Sequence, residues 1–247
     1  MIKNFQMRNL VYATLLLLTL NCNAQKEDIM ENLMKMPEFN EKYEFFDRDA
    51  FFFGKDQGRE HKKKIVNKDT MDCYASSTIY EEYDKNKKLR VSFYKKDRIL
   101  GYDYSTNPII GIYKEFYQTG GIKMKGVYCW LGFKMGLWYH YDLDGNLIQI
   151  EDYEKGFECT TENIFAYCAD NNISLERITD YNIIDFKTKQ TKIRKITDAI
   201  NKTFWYITYW DFKKSKRFII QMDAKTGKVI QIVEGFPASM FMEEELN

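Results

Sequence analysis

Gly132-Phe133-Lys134-Met135-Gly136-Leu137-Trp138-Tyr139-His140-Tyr141, followed by Asp144-Gly145-Asn146-Leu147, is the stretch that decides the fold. It belongs to the second of two near-copies lying between Ile112 and Gly156. Phe116, Ile122 and Tyr128 of the first copy align with Tyr141, Leu147 and Tyr153 of the second. A fixed period of about 25 residues with glycines and aromatics in register marks a repeat array. Residues 137–141 and 147–153 predict two strands. Between them, Asp142 to Asn146 supplies a turn, with Gly145 free to take positive φ and the Asp and Asn side chains able to bond their own backbone. Trp138, Tyr141, Leu147 and Tyr153 are expected to carry the packing between hairpins. One hairpin alone is marginal, so stability has to come from stacking.

Working outward, a degenerate copy is expected at 78–97, where Tyr80, Tyr83, Leu89 and Tyr94 echo Trp138, Tyr141, Leu147 and Tyr153. An insertion around Tyr102 to Pro108 would account for its longer spacing from the first clean copy. Upstream, Phe45-Phe46 and Phe51-Phe52-Phe53 look like core pieces of a cap over the first edge of the sheet, because repeat arrays need atypical ends. Residues 25–36 carry Ile29, Leu33, Met34 and Met36 at helical spacing, ended by Pro37. Lys62-Lys63-Lys64 reads as a solvated loop.

Beyond Phe157 the character changes. Thr160-Thr161-Glu162-Asn163 predicts a helix start, with Ile164, Phe165 and Cys168 on one face and an end near Asn171-Asn172. Strands are expected at Tyr181–Phe186, Lys192–Ile196, Phe204–Trp210 and Arg217–Met222. The last turns at Asp223 to Gly227 into Lys228–Val233, ahead of a frayed acidic tail. The fold expected is therefore mainly β with an α+β C-terminal domain: an antiparallel β-hairpin repeat sheet plus a small helix-and-sheet domain. The division is 1–24 signal peptide, 25–77 N-terminal helix and capping region, 78–157 hairpin repeats, and 158–247 C-terminal domain.

The leader follows from Lys3 and Arg8 ahead of an apolar run from Val11 to Leu20, with Cys22-Asn23-Ala24 before a cut at Gln25. That run is too short for a standard transmembrane helix. Export, periplasmic or secreted, is the expectation; the alternative is a lipoprotein anchored at Cys22, the one route to membrane contact. After cleavage Cys73, Cys129, Cys159 and Cys168 remain, open to free buried thiols or to one or two disulfides of undetermined pairing. Their spacing disfavours a redox pair or structural zinc.

Lys and Arg number 37 against 36 Asp and Glu, so no electrostatic footprint for nucleic acid exists. The 18 Tyr, 18 Phe and 4 Trp against 3 Pro suit many short strands. With only His61 and His140, a histidine triad or multi-histidine metal site has few possible members. Gly227-Lys228 lacks the Ser or Thr of a phosphate loop. His140, Asp142, Asp144, Gly145 and Glu151 mimic a calcium loop, but strand flanks and the repeat account for them as a turn. Asp47 with Asp49, and Glu81 with Glu82, are expected to be solvated. No catalytic residue, metal or cofactor is assigned.

The residues Gly132, Lys134, Gly136, Trp138, Tyr141, Gly145, Leu147, Tyr153 and Gly156 resemble the MORN-type repeat of bacterial proteins, in the variant labelled YwqK-family antitoxin. The resemblance covers under a quarter of the chain and implies a β-hairpin array acting in protein or lipid contacts. Phe204-Trp-Tyr-Ile-Thr-Tyr209 and Ile220-Gln-Met-Asp223-Ala-Lys-Thr-Gly227-Lys-Val-Ile230 look like a PepSY-type domain, a module that implies a peptidase-inhibitor role. The leader resembles those of Bacteroidota-type bacteria. Together these imply a non-enzymatic protein that meets an unknown envelope protein through an aromatic-rich sheet. The alternatives are an inhibitor or chaperone-like module for an exported peptidase, or an antitoxin-like neutraliser. Candidate interaction or repeat-defining residues are Gly132, Lys134, Gly136, Trp138, Tyr141, Gly145 and Tyr153. Lys134, between two glycines, would reach an acidic partner or headgroup, or stay exposed as a turn residue.

Overall fold

Alternating inward and outward side chains along the chain give strand after strand, and within each of two sheets every strand pairs antiparallel with the one before it. In the computed structural model, residues 34–47, 51–52, 60–66, 69–76, 79–85, 89–95, 98–104, 107, 109–176 and 190–235 are described. The expected leader, Cys22, the strand at Tyr181–Phe186 and the acidic tail lie outside them. So does the helix expected over 25–36, except residues 34–36, which are not helical.

Among the described residues, nine strands form one meander: β1 (Glu60–Val66), β2 (Asp69–Ala75), β3 (Ile79–Tyr83), β4 (Leu89–Lys95), β5 (Ile99–Asp103), β6 (Ile110–Phe116), β7 (Ile122–Cys129), β8 (Phe133–Tyr141) and β9 (Leu147–Asp152). A helix, α1 (Thr161–Asp170), follows. A second antiparallel sheet holds β10 (Lys192–Thr197), β11 (Thr203–Asp211), β12 (Lys216–Asp223) and β13 (Val229–Glu234). The protein is mainly β.

The two clean copies are the hairpins β6–β7 and β8–β9. Their turn glycines, Gly120 and Gly145, both sit at positive φ, +101° and +88°. Asp142 closes the second turn by accepting from the backbone N–H groups of Asp144 (3.0 Å) and Asn146 (2.8 Å) and from the Asn146 side chain. Those bonds, the Asn146 side chain first, hold its carboxyl below the usual carboxylate range. Asp223 closes the β12–β13 turn in the same way, taking the N–H of Thr226 at 2.8 Å.

The expected insertion near Tyr102 is itself a strand. β5 pairs with both β4 and β6, and Phe93 and Ile99 join Phe116, Ile122 and Tyr141 in one buried cluster. Residues 78–97 hold the antiparallel hairpin β3–β4, and β5 joins it to the first clean copy. Lys62-Lys63-Lys64 is not a loop but part of edge strand β1, its side chains exposed. Edge charges of this kind discourage further pairing.

Successive strand residues point to opposite faces, so the pairing register sorts the large sheet into two sides. On one side lie the apolar rows, in two clusters. Residues 34–47 form a strap across β6–β8 on this side rather than a cap on the first edge. Phe45 bridges Gly121, Phe46 N–H donates to Gly120 O at 2.8 Å, and Tyr141 Oη donates to Glu41 O at 2.6 Å. The strap is fixed by charge as well. Lys125, fully buried, donates to Lys42 O and to Glu44 Oε1 (2.7 Å), while Lys114 holds the other Glu44 oxygen.

The same side continues into the C-terminal residues. Cys129, Phe133 and Met135 share one core with Phe157, Ile164, Phe165, Cys168, Ile193, Trp205, Ile207, Ile220 and Met222. Ile193 N–H donates to Leu131 O at 2.8 Å, tying β10 to the β7–β8 turn. Lys195 reaches from β10 into the space between Phe133, Phe157 and Trp205, 5.0–5.5 Å from each ring centroid. It ends on Glu154 Oε2 at 2.7 Å and Tyr153 O at 3.0 Å. Burial lowers its pKa and Glu154 works against that. Helix α1 starts as its sequence predicts, with Thr160 and Asn163 exchanging cap bonds, and buries Ile164, Phe165 and Cys168. Cys73, Cys129, Cys159 and Cys168 are all buried and free.

Candidate functional site: an aromatic row on the open face

The other side of the large sheet lies outside both apolar clusters, yet it is rich in rings. Registers place Tyr102, Tyr113, Gly126, Trp138 and Glu151 on one line across β5 to β9. Tyr102 meets Tyr113 edge-on at 5.2 Å and Tyr128 at 5.4 Å. Tyr113 stacks on Trp138 at 5.4 Å, and Tyr153 meets that indole edge-on at 5.7 Å. Tyr104 extends the row to Trp130 at 6.0 Å. Tyr113 and Trp138 occupy equivalent positions of the two clean repeats. The row is therefore the repeat itself, expressed as a ladder of rings.

Trp138 is buried although it belongs to neither apolar cluster. It lies flat on Gly126, where a Cβ would fall 2.3 Å from the indole, and its Nε1 donates to Val127 O at 3.1 Å. Lys134 closes it from above: the ammonium stands 4.2 Å from the Trp138 centroid and 4.6 Å from that of Tyr153. Such contacts stabilise by roughly 0.5–2 kcal/mol depending on desolvation. Lys134 therefore neither reaches out of a turn nor stays fully exposed; it is half-buried on the rings, and burial lowers its pKa against the pull of Glu151 and Glu115.

Polar groups frame the rings. Lys134 Nζ donates to Tyr153 Oη at 2.7 Å, which donates to Glu151 Oε2 at 2.6 Å. Gln149 holds the second oxygen of Glu151 at 2.9 Å, and His140 Nε2 stands 3.3 Å from Oε2. The Tyr153 bond leads in keeping Glu151 below its ordinary pKa, while burial pushes Tyr153 up. Beside them Glu115, buried, takes Lys123 at 2.8 Å, Tyr113 Oη at 3.1 Å and Arg98 at 3.4 Å. Burial, then Glu115, raises the Tyr113 phenol.

The candidate residues divide between places. Lys134, Trp138 and Tyr153 come together on the open face. Tyr141 is buried on the opposite face, edge-on to Tyr43 of the strap at 6.0 Å. Gly145 carries the ring of Tyr43, and Gly132, at φ +113°, turns the chain beside Ile193. Gly136 forms part of an irregularity in β8, its N–H bound by Glu154 at 2.9 Å and its carbonyl by Tyr153 N–H at 3.0 Å. Leu147 does not pack between hairpins: among the described residues β9 is the last strand of its sheet, and Leu147 is exposed.

Sequence reasoning missed Tyr102, Tyr113, Tyr128, Glu115 and Glu151 as members of the row. Alternation along β6 and β7 would have placed Tyr113 and Tyr128 on the Trp138 side. It also missed the burial of Glu81 and Glu82, which lie on opposite faces of β3 as neighbours on a strand must. Glu82 takes Tyr80 Oη at 2.5 Å and Lys64 at 2.9 Å. Among the described residues no group of three or more His, Cys, Asp or Glu side chains is placed to hold a metal ion. Comparisons with protein-family models, with curated proteins and with solved structures found no match to this chain.

Proposed function

We propose that the protein is a non-enzymatic binding module that presents the aromatic row to a protein partner of the cell envelope. The observation that carries this is the half-buried ring series Tyr102, Tyr113, Tyr128 and Tyr153, lying on the side away from both apolar clusters and framed by Glu115, Lys134 and Glu151. Tyr and Trp combine apolar area with a polar tip and lose little conformational entropy on binding, which is why they dominate protein interfaces. Here the rings are already ordered by stacking and by ion pairs, so a partner meets a preorganised surface.

In this reading 78–157 is a MORN-like hairpin array and 158–247 a PepSY-like α+β domain, braced against it through the shared core. The leader exports the mature chain to the periplasm or beyond, and an acylated Cys22 would instead tether it. Capture from an envelope extract tests the function. The mature chain should retain one stoichiometric protein, and Tyr102→Ala with Tyr128→Ala should release it while the fold persists. Retention by the double variant, or recovery of no partner by the parent, overturns the reading. Mass spectrometry of the mature N-terminus decides between cleavage before Gln25 and lipid on Cys22.

A further inference from the structure

The two ends of the large sheet are built differently. At β1 the exposed residues His61, Lys62, Lys63 and Lys64 blunt the edge with charge. At β9 the edge reads Leu147-Ile148-Gln149-Ile150-Glu151-Asp152, with Leu147 41%, Ile148 62% and Ile150 53% exposed. Leu137 and Leu143 are exposed beside them. An unpaired strand edge flanked by aliphatics is a template for another strand, and charge is the usual guard against it. The β1 end carries that guard along most of its length, Ile65 apart, whereas β9 has a register irregularity at Ile148 and the charges of Glu151 and Asp152 at its end.

We propose that β9 is a self-association edge, which pairs antiparallel with β9 of a second copy of this chain about a two-fold axis through Gln149. The sequence of the edge selects this occupant. A two-fold normal to the sheet keeps each residue on its own face, so paired residue numbers must add to an even total. Centring on Gln149 sets Ile148 against Ile150 of the second copy, twice, and Gln149 against its own equivalent. At the centre of the edge apolar residues then face apolar ones and amide faces amide, while Leu147 lies against Glu151 at either end. Shifting the axis to Ile148 or Ile150 sets Ile against Asn146 or Asp152 instead. The self-complementary strand is what an isologous interface requires.

Pairing in this way continues the meander from one chain into the next and puts the two aromatic rows on the same side. Six residues of edge bury less than the ~1,200 Å² of a standard stable interface. The dimer is therefore a concentration-dependent one. The β13 edge, Val229-Ile230-Gln231-Ile232-Val233-Glu234, repeats the Ile-Gln-Ile pattern with exposed aliphatics and serves as the internal control. β9 is the stronger candidate because Leu137 and Leu143 widen its apolar border. This inference does not depend on what binds the aromatic row.

Sedimentation equilibrium of the full chain across a wide concentration range is the test. The parent should move from monomer to dimer, and Ile148→Lys with Ile150→Lys should weaken that by about tenfold or more, since lysines then oppose lysines across the axis. Ile230→Lys with Ile232→Lys should leave it unchanged. In a Cys22→Ser background, Gln149→Cys should form a disulfide-linked dimer on mild oxidation and Asp144→Cys should not, because only a residue on the axis meets its own copy within disulfide reach. A parent that stays monomeric overturns the proposal. So does a dimer that survives the β9 lysines, one abolished by the β13 lysines, or equal crosslinking at 144 and 149.

Discussion

Trp138 shows how one residue can be buried without a hydrophobic core above it. Its lower face rests on Gly126, its sides on Tyr113 and Tyr153, and its upper face on the Lys134 ammonium. Removing the ring leaves those partners facing a void, so Trp138→Ala should cost about 3–5 kcal/mol in urea unfolding, the range for a buried large aromatic. A loss under ~1 kcal/mol would mark an exposed contact residue instead. Gly126→Ala tests the same site from below. Its methyl would fall 2.3 Å from the indole, so the ring must lift. A loss of about 1–3 kcal/mol with a changed Trp fluorescence maximum is expected. The thiols give a third residue-level test. Burial pushes Cys129 and Cys168 up to about 12, and Cys73 and Cys159 are raised by burial as well. In a Cys22→Ser chain a thiolate-selective reagent at pH 8 should label none of the four until denaturant is added; labelling of the native chain would contradict their burial.

At the scale of elements, the strap 34–47 is held to the sheet by backbone bonds and by one carboxylate between two lysines. Burial of Glu44 works to raise its pKa, but the bonds from Lys114 and Lys125 outweigh it and the folded value is lowered. A carboxylate depressed on folding contributes stability that is present above its unfolded pKa and is lost as pH falls through the folded value. Strap protection in hydrogen exchange should therefore weaken as pH drops below ~4.5. Glu44→Gln should flatten that acid dependence and destabilise the protein at neutral pH, since Lys125 would keep its charge in a buried place without its carboxylate. An unchanged acid slope in Glu44→Gln would remove Glu44 as the cause. This element shows what a sequence leaves hidden. Glycine turns, strand alternation and the Thr160–Asn163 cap are local signals, and from them the β6–β9 hairpins, α1 and β10–β13 were legible. The strap, the burial of Glu81 and Glu82, and the split of Trp138 from Tyr141 onto opposite faces depend on register and on contacts distant in sequence. Of the candidate site, Lys134, Trp138 and Tyr153 were legible because they share one repeat. Tyr102 was not, because it lies on β5, a strand the repeat period had marked as an insertion.

For the molecule as a whole, the question is whether residue 157 marks an energetic boundary. Topology suggests it does, because among the described residues the sheets β1–β9 and β10–β13 share no strand. Packing argues the opposite. Phe133 of β8 meets Trp205 of β11 edge-on at 5.3 Å, and Phe157 meets the same indole from another side at 5.3 Å. The Trp205 Nε1 donates to Cys159 O at 2.9 Å, and Lys195 lies over all three rings. Domains that unfold separately meet through polar surfaces, whereas one contiguous apolar core couples its walls. Trp205→Ala should thus cost about 3–5 kcal/mol and should lower the stability of both sheets together. Hydrogen exchange resolved by segment provides the readout, with amides of β7–β8 and of β11–β12 losing protection by the same free energy. If β11–β12 alone opened while β7–β8 kept its protection, the C-terminal sheet would be an independent unit that merely rests on the hairpin array. Equal loss would mean that the open aromatic face is held flat by a core on its reverse side, drawn from both halves of the chain.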